Sequence, residues 1–249
     1  MDDFLGRVAV VTGGSSGIGK GIAQKFKEAG ATVVVTGRNR EALDAVTREL
    51  GIDAEQVDAT DALAMQDLAR RITVRHGRVD ILVNNAGVGP TGRLADMTLE
   101  DWKWLLDSNL ISVINGLDAF LPILRANADG GYIVNTSSIS GMFTAPTIGA
   151  YATTKYAVLA ISETLAQELA QEGGKVGVSV FLPGPVRSNT HESGRNRPAA
   201  FASGGLRDTR LEDAEGFEGV TITLDGRGCC RTMRRRCDAA TRPLHLDPS

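Results

Sequence analysis

Two side chains in this sequence have the types and the spacing for proton transfer. Tyr151 and Lys155 lie four residues apart in Tyr151-Ala-Thr-Thr-Lys155, on a stretch of helical period, so both face the same way. A free phenol, with a pKa near 10, is a poor base at neutral pH. A neighbouring ammonium stabilises the phenolate and lowers that pKa towards the range that general acid–base catalysis favours. The pair suits a reaction in which an oxygen gains or loses a proton. His76, His191 and His245 have no paired ligands at metal spacing, so no metal and no serine-hydrolase triad is expected, and His76 is read as solvated.

A second constellation is Thr12-Gly13-Gly14-Ser15-Ser16-Gly17-Ile18-Gly19, which follows Val8-Ala-Val-Val11 and directly precedes a helix-period stretch. Glycines there permit a tight turn and let a pyrophosphate approach the backbone, while the helix start offers unpaired N–H groups and a positive dipole end. The strand–turn–helix context that this motif demands is present. The second apolar run ends Val35-Thr36-Gly37-Arg38-Asn39-Arg40. An acidic residue at that point would bind an adenosine 2′-hydroxyl, whereas a guanidinium fork suits a 2′-phosphate. With Arg38 following Gly37 and no acidic residue between them and the strand, NADP(H) is expected as the cofactor, with NAD(H) the alternative. Arg40 reads either as a solvated helix start or as a further phosphate contact.

The elements that position these groups alternate along the chain. Short apolar runs stand at Val8–Val11, Thr32–Val35, Ile81–Val83, Tyr132–Asn135 and Val176–Phe181. Amphipathic stretches lie between them at Gly19–Ala29, Arg40–Leu50, Ala62–Arg75 and Asp101–Leu124. Unbroken apolar runs indicate strands buried on both faces, and β–α alternation indicates right-handed crossovers. The expectation is an α/β fold: a single doubly wound, Rossmann-type parallel sheet with helices on both faces. Residues 1–206 would form this domain, with a polar, glycine-interrupted lid over 187–206, and residues 207–249 an atypical, irregular tail.

These motifs, in this order, resemble the short-chain dehydrogenases/reductases, in the branch whose chains have about this length. The resemblance runs from about Leu5 to Pro198. It rests on Thr12–Gly19, Asp58, Asn84-Asn85-Ala86-Gly87, Asn109, Ser138, Tyr151 with Lys155, and Pro183-Gly184-Pro185-Val186. It implies hydride transfer between a nicotinamide and a carbinol carbon, interconverting a secondary alcohol and a ketone, with Tyr151 exchanging the proton. Ser138, thirteen residues before Tyr151, would polarise the carbonyl, with the adjacent Ser137 as the other candidate. Asn109 would bind a water linking Lys155 to solvent, and Lys155 would also hold the nicotinamide ribose.

For the cofactor, the resemblance implies phosphate contacts from Gly13, Ser15, Ser16, Gly17, Ile18 and Gly19. Asp58 and Ala59 would flank the adenine, and Asn84, Ala86 and Gly87 the adenosine side. Pro183, Gly184, Val186 and Ser188 would hold the carboxamide end. Gly141–Gly149 and the stretch after Pro183 would wall the substrate pocket. There His191, Arg195 and Arg197 either recognise a carboxylate or phenol or are solvated lid charges. Pro183–Pro198 and Ile114–Leu117 look like the corresponding parts of bacterial Cα-dehydrogenases acting on aryl alcohols, so the small-molecule substrate could be aromatic. Homodimers or homotetramers through Asp101–Leu124 and Tyr151–Gln171 are implied.

Composition bounds the rest. With 42% hydrophobic and 23% charged residues, the chain falls among soluble globular proteins. A net charge of −3, from 27 basic and 30 acidic residues, provides no field for nucleic acid or an anionic membrane. No apolar stretch approaches the roughly 20 residues of a membrane helix, and Met1-Asp2-Asp3 is no basic leader, so a cytoplasmic protein is expected.

The tail is less regular. Cys229, Cys230 and Cys237 crowd beside Arg227, Arg231 and Arg234–Arg236. Either Gly219–Gly226 is the family's last strand followed by a foreign tail, or the cysteines form a metal or redox site, or the reading frame has shifted. Adjacent cysteines fit neither metal spacing nor a relaxed disulfide. Codons compatible with Leu224–Arg227 and Thr241–Pro248, read one base later, can encode peptides resembling the C-terminal part of the aryl-alcohol enzymes. The rival to an active enzyme is therefore a cofactor-binding but inactive homologue or a frameshifted product. Sequencing the gene tests the shift: codons at those positions that cannot encode Trp-Met-Asp in the displaced frame eliminate it.

Overall fold

The valine-rich runs form the centre of a wholly parallel sheet in a computed structural model, which describes residues 4–184, 189–201 and 204–208. Its strands are β1 (Val8–Val11), β2 (Thr32–Gly37), β3 (Asp53–Gln56), β4 (Ile81–Asn84), β5 (Gly131–Thr136) and β6 (Val176–Phe181). They lie in the order β3-β2-β1-β4-β5-β6. The helices are α1 (Gly17–Glu28), α2 (Arg40–Leu50), α3 (Ala62–His76), α4 (Leu99–Leu106), α5 (Ser112–Ala126) and α6 (Gly149–Gln171). The Gly219–Gly226 strand and the cysteine cluster lie outside the described residues. No helix among the described residues is long and apolar enough to cross a membrane.

Each of the five apolar strands, β1, β2, β4, β5 and β6, feeds two cores, which explains its apolar sequence. Val8 and Val10 of β1 join Leu82, Leu68 and Phe120 on the α3–α5 side. Ala9 and Val11 join Val33, Val83, Ile22 and Leu43 on the α1–α2 side. Fully burying one such large apolar side chain contributes roughly 1.5–3 kcal/mol, so neither face tolerates a polar substitution.

The sheet has one strand more than the apolar runs suggested. β3 reads Asp-Ala-Glu-Gln and is half-buried at the edge, paired to β2 with Asp53 opposite Val34. Charges on an edge strand discourage pairing with another chain. Glu55 is neutralised by Arg71 and Arg75, each at 3.2 Å. His76, read as solvated, is instead largely covered, with Nε2 3.4 Å from an Asp53 carboxylate oxygen.

The stretch expected as one helix over Asp101–Leu124 is broken by a wide π turn at Asp107–Ile111, separating α4 from α5. A single extra residue in a turn leaves the apolar period nearly unchanged, so sequence does not reveal it. Such turns often occur at functional sites, and Asn109 lies within this one.

At the end of the sheet where β1 and β4 begin, Asp80 is 2% exposed. It accepts from Val8 N–H and Arg7, both at 2.8 Å, and from Arg78 Nε at 2.9 Å. Its own carbonyl accepts from Tyr132 N–H at 2.8 Å, which ties in β5. Asp129 takes the outer sides of both guanidiniums. These bonds hold both arginines above and Asp129 below their ordinary pKa values, with burial opposing each shift. Asp80→Asn should cost roughly 2–4 kcal/mol in urea unfolding, since it leaves two half-covered guanidiniums short of a partner. Cofactor affinity measured well below the new midpoint should be unchanged.

Candidate active site

Strand order reverses between β1 and β4, so the loops leaving their carboxyl ends diverge and open a cleft of about 540 Å³. This is the general ligand position of open α/β sheets. One buried hydroxyl stitches the two loops together: Thr12 Oγ1 accepts from Asn85 N–H at 2.9 Å and Ala86 N–H at 3.0 Å. Asn85 Nδ2 returns a bond to the Thr12 carbonyl at 3.0 Å. Gly13 adopts φ +64°, and a Cβ there would lie 2.9 Å from Ala86 Cα. Only glycine meets both conditions.

Gly13, Ser15, Ser16, Gly17, Ile18 and Gly19 all line the cleft. The helix that starts there is uncapped by side chains. α2, α3 and α4 are each closed at the N-terminus by a side-chain cap, from Asn39, Asp61 and Thr98. The N-cap of α1, Ser16, makes no side-chain cap bond. Its first N–H groups therefore retain capacity for an anion.

At the end of the cleft beside β2 the lining is Gly37, Arg38, Asp58 and Ala59. Asp58 Oδ1 accepts from Thr60 N–H at 3.0 Å and from its hydroxyl at 2.9 Å. The Arg38 guanidinium stands 3.7 Å from the other Asp58 oxygen, a loose and solvated pair. A Cβ on Gly37 would come within 3.3 Å of Ser15 Oγ, so hydrogen there leaves room beside the phosphate turn.

Ala86 and Gly87 line the cleft, but Asn84 does not. Alternation along β4 directs Asn84 into the interior, where it is 2% exposed and donates to Asn135 Oδ1 at 2.9 Å. Asn85, the next residue, faces the cleft in its place. Pro183 also lines the cleft; Gly184 is exposed and does not. Val186 and Ser188 lie outside the described residues.

At the other end, α6 presents Tyr151 and Lys155 on one side. Lys155 is 4% exposed; its Nζ donates to the Thr136 carbonyl at 3.1 Å and stands 5.7 Å from the centre of the Tyr151 ring. Burial brings the ammonium pKa down from 10.5 to about 8. Burial also pushes the Tyr151 phenol above its ordinary value, while a hydrogen bond with Ser138 pulls it back.

The Ser-Ser pair divides its duties. Ser137 Oγ donates to the Lys155 carbonyl at 2.7 Å, anchoring α6. Ser138 Oγ accepts from Ser140 N–H at 3.1 Å and meets Tyr151.

Asn109 is wholly buried, and both ends of its amide are occupied by protein. Oδ1 accepts from Val88 N–H at 2.7 Å; Nδ2 donates to the Val88 carbonyl at 3.0 Å and to Thr154 Oγ1 at 3.1 Å. It thus holds the loop after β4 against α6, one residue from Lys155. Of the stretch after Pro183 expected to wall the pocket, Ser193, Arg195 and Asn196 line the cleft; Ser193 and Asn196 were not singled out from sequence, because they lie in a polar run without period. Arg197, for which solvation was one expectation, is 10% exposed and paired with Asp101. The His191 side chain lies outside the described residues. Among the described residues no cluster of His, Cys, Asp and Glu could hold a metal ion.

A family model described as short chain dehydrogenase matches residues 7–198. The Cα-dehydrogenase of Sphingobium sp. is 36% identical over 211 residues, covering 82% of this chain and 68% of that protein. The NADP-dependent (R)-specific alcohol dehydrogenase of Lentilactobacillus kefiri is 36% identical over 191 residues, covering 75% of this chain and 76% of that protein. A solved short chain dehydrogenase/reductase from Burkholderia phymatum, in complex with NAD, superimposes with a TM-score of 0.87. It is 31% identical and covers 96% of this chain and 88% of its own.

The buried lysine has a thermodynamic signature. Its folded pKa of about 8 lies below the unfolded 10.5, so the unfolded chain binds more protons between those values. The cost of burying the charge is complete below pH 8 and disappears as pH rises to 10.5. In cofactor-free protein, the stability of wild type relative to Lys155→Met should therefore rise across that window, by about 3 kcal/mol at most. Urea titrations of both proteins from pH 7 to about 10.5 measure it; parallel profiles would contradict the assignment.

Proposed function

The chain belongs to the short-chain dehydrogenase family, and on that premise we propose that it interconverts a secondary alcohol and a ketone with NADP(H), Tyr151 exchanging the proton. The observation that carries this is one cleft lined by Tyr151 and Lys155 at one end, with Ser138 hydrogen-bonded to Tyr151 although it does not itself line the cleft, and by Arg38 beside side-chain-free Gly37 at the other. The residues fit a dinucleotide: an uncapped helix start faces the phosphate turn, and Arg38 has fork donors that the loose Asp58 contact leaves available. When bound, the nicotinamide supplies or accepts the hydride.

The chain's own residues do the rest. Ser138, oriented by Ser140 N–H, holds the substrate oxygen near the phenol. Tyr151 gives its proton to that oxygen in reduction and takes it in oxidation. Lys155, charged below about pH 8, stabilises the phenolate by its proximity. Since the Asn109 amide is occupied by Val88 and Thr154, its part in a water relay would fall to its backbone carbonyl in the π turn.

The substrate side favours an apolar carbonyl compound. Ile139 and Met142 follow Ser138, Phe143 comes next, and Leu94 packs near Gly149 at the head of α6; all four are exposed. With the similarity to an enzyme named for Cα-dehydrogenation, this supports an aryl-substituted ketone or alcohol. Activity confined to aliphatic or sugar carbonyls would refute that part. Dimers or tetramers built through α4–α5 and α6 are proposed with it. NAD(H) is the second cofactor reading, supported by the NAD complex of the structural relative. A cofactor-binding protein without turnover is favoured only by the end of the family match at residue 198.

Two measurements test the proposal. Tyr151→Phe should lower kcat by about 10²–10⁴-fold while NADPH affinity stays within about threefold of wild type. Wild-type binding of NADPH without turnover on any ketone would favour the inactive reading. Arg38→Ala should weaken NADPH by about 10–100-fold and NADH by much less, since only the phosphate contact is lost. Equal losses for both cofactors would overturn the NADP(H) preference.

A further inference from the structure

Asp101 stands in the first turn of α4 and is wholly buried. Part of its role is local. It completes a capping box, accepting from Thr98 N–H at 3.0 Å while the Thr98 hydroxyl accepts from Asp101 N–H. A cap needs nothing more. Yet Asp101 Oδ2 also accepts from Gly205 N–H at 2.8 Å, and Oδ1 takes the Arg197 guanidinium. A side chain at Gly204 would overlap this carboxylate. The face of Arg197 lies over Trp104, 5.3 Å from the ring centre. The chain that follows β6 is therefore fastened to α4 by a buried ion pair, Arg197 Nη2 to Asp101 Oδ1, with the guanidinium over the Trp104 ring.

That same chain forms part of the cleft wall. Ser193, Arg195 and Asn196 line the cleft, just before Arg197. Other fastenings lie alongside. Ser193 Oγ accepts from Gly89 N–H at 3.1 Å, and Thr91 and Arg207 exchange backbone bonds at 2.9 and 2.7 Å. Gly92 N–H donates to the Thr147 carbonyl at 2.7 Å, with Thr147 at φ +70° four residues before Tyr151. Phe201 and Leu206 pack with Trp104, Leu105 and Val88 beneath. The post-β6 chain, the loop after β4 and the head of α6 thus form one stack, rooted at Asp101.

Two donors within this root, Trp104 Nε1 and Arg197 Nε, are buried without a protein partner. An apolar contact of equal volume would avoid both that and the desolvation of two charges, and buried pairs often gain little stability over such a contact. What the pair provides is a unique position. We propose that Asp101 and Arg197 are positioning residues: they latch the chain after β6 onto α4 and so hold Ser193, Arg195 and Asn196 over the substrate side of the cleft. The kinetic part of this rests on the proposed ketone reduction; the latch itself does not.

The test uses the full chain with Arg197→Met, which keeps an apolar cover on Trp104 and leaves Asp101 its backbone bonds. Trp102 and Trp104, both on α4, are the only tryptophans, so their emission reports on the latch directly. The expected result is a shifted emission, cleavage after β6 about tenfold faster in limited proteolysis, and KM for an aryl ketone raised about tenfold. kcat and NADPH affinity should each stay within about threefold. Arg197→Lys keeps the charge but loses the planar group over Trp104, so it should restore part of the KM loss. It also carries the test alone, with KM raised about threefold, if Arg197→Met does not fold. KM and proteolysis unchanged in the folded variants would overturn the proposal. So would a parallel decline of KM, kcat and cofactor affinity, which marks general loss of structure. If wild type reduces no ketone, the functional reading fails, and emission and proteolysis still decide the latch.

Discussion

A lysine ammonium buried beside a phenol is unfavourable by itself, and much of this molecule is arranged to keep that pair in place. Burial depresses the Lys155 pKa to about 8 and raises that of Tyr151, so the site resists a charge on either group. What holds it is a set of contacts from three other parts of the chain. The Thr136 carbonyl takes Nζ, Ser137 takes the Lys155 carbonyl, and Asn109 reaches Thr154. Gly87 completes the enclosure, since a Cβ there would lie 2.9 Å from Asn109 Oδ1 and 3.5 Å from Lys155 Nζ. The π turn belongs to the same constraint: it places a wholly buried amide where both ends meet the backbone of Val88.

The two ends of the parallel sheet therefore carry opposite duties. At the end where β1 and β4 start, Asp80 and Asp129 neutralise two arginines and bind the starts of three strands. At the other end, polar groups are left with capacity: the uncapped start of α1, the Arg38 fork, and a hydroxyl at Ser138. Polar groups are paired at one end of the sheet, and the cost of unmet ones falls at the other, beside the cleft, where a ligand can meet them.

The cleft wall contributed after β6 has a different character from the sheet. It holds its place by discrete polar fastenings and a small apolar cluster around Trp104 rather than by strand pairing. Regions with few buried apolar contacts open most easily. A cleft wall built this way can depend strongly on one ion pair, whereas the glycine turn after β1, stitched by Thr12 between two central strands, cannot be displaced without disturbing the sheet.

Local pattern determined a great deal here. Unbroken apolar runs, helical periods and the glycine turn indicated the doubly wound parallel sheet, because backbone conformation and two-sided burial leave their mark on neighbouring residues. The four-residue spacing of Tyr151 and Lys155 placed them on one helix face for the same reason. β3 left no mark in the apolar runs because Asp-Ala-Glu-Gln has none, and its place at the sheet edge is set by its pairing with β2. Asn84 and Asn85 could not be told apart, since a step of one residue at the end of β4 exchanges interior for cleft. Asp101 and Arg197 are 96 residues apart, and each alone reads as an ordinary surface charge. Only the folded chain brings them together and removes both from water, which is why their burial, unlike the fold around them, was decided by tertiary structure.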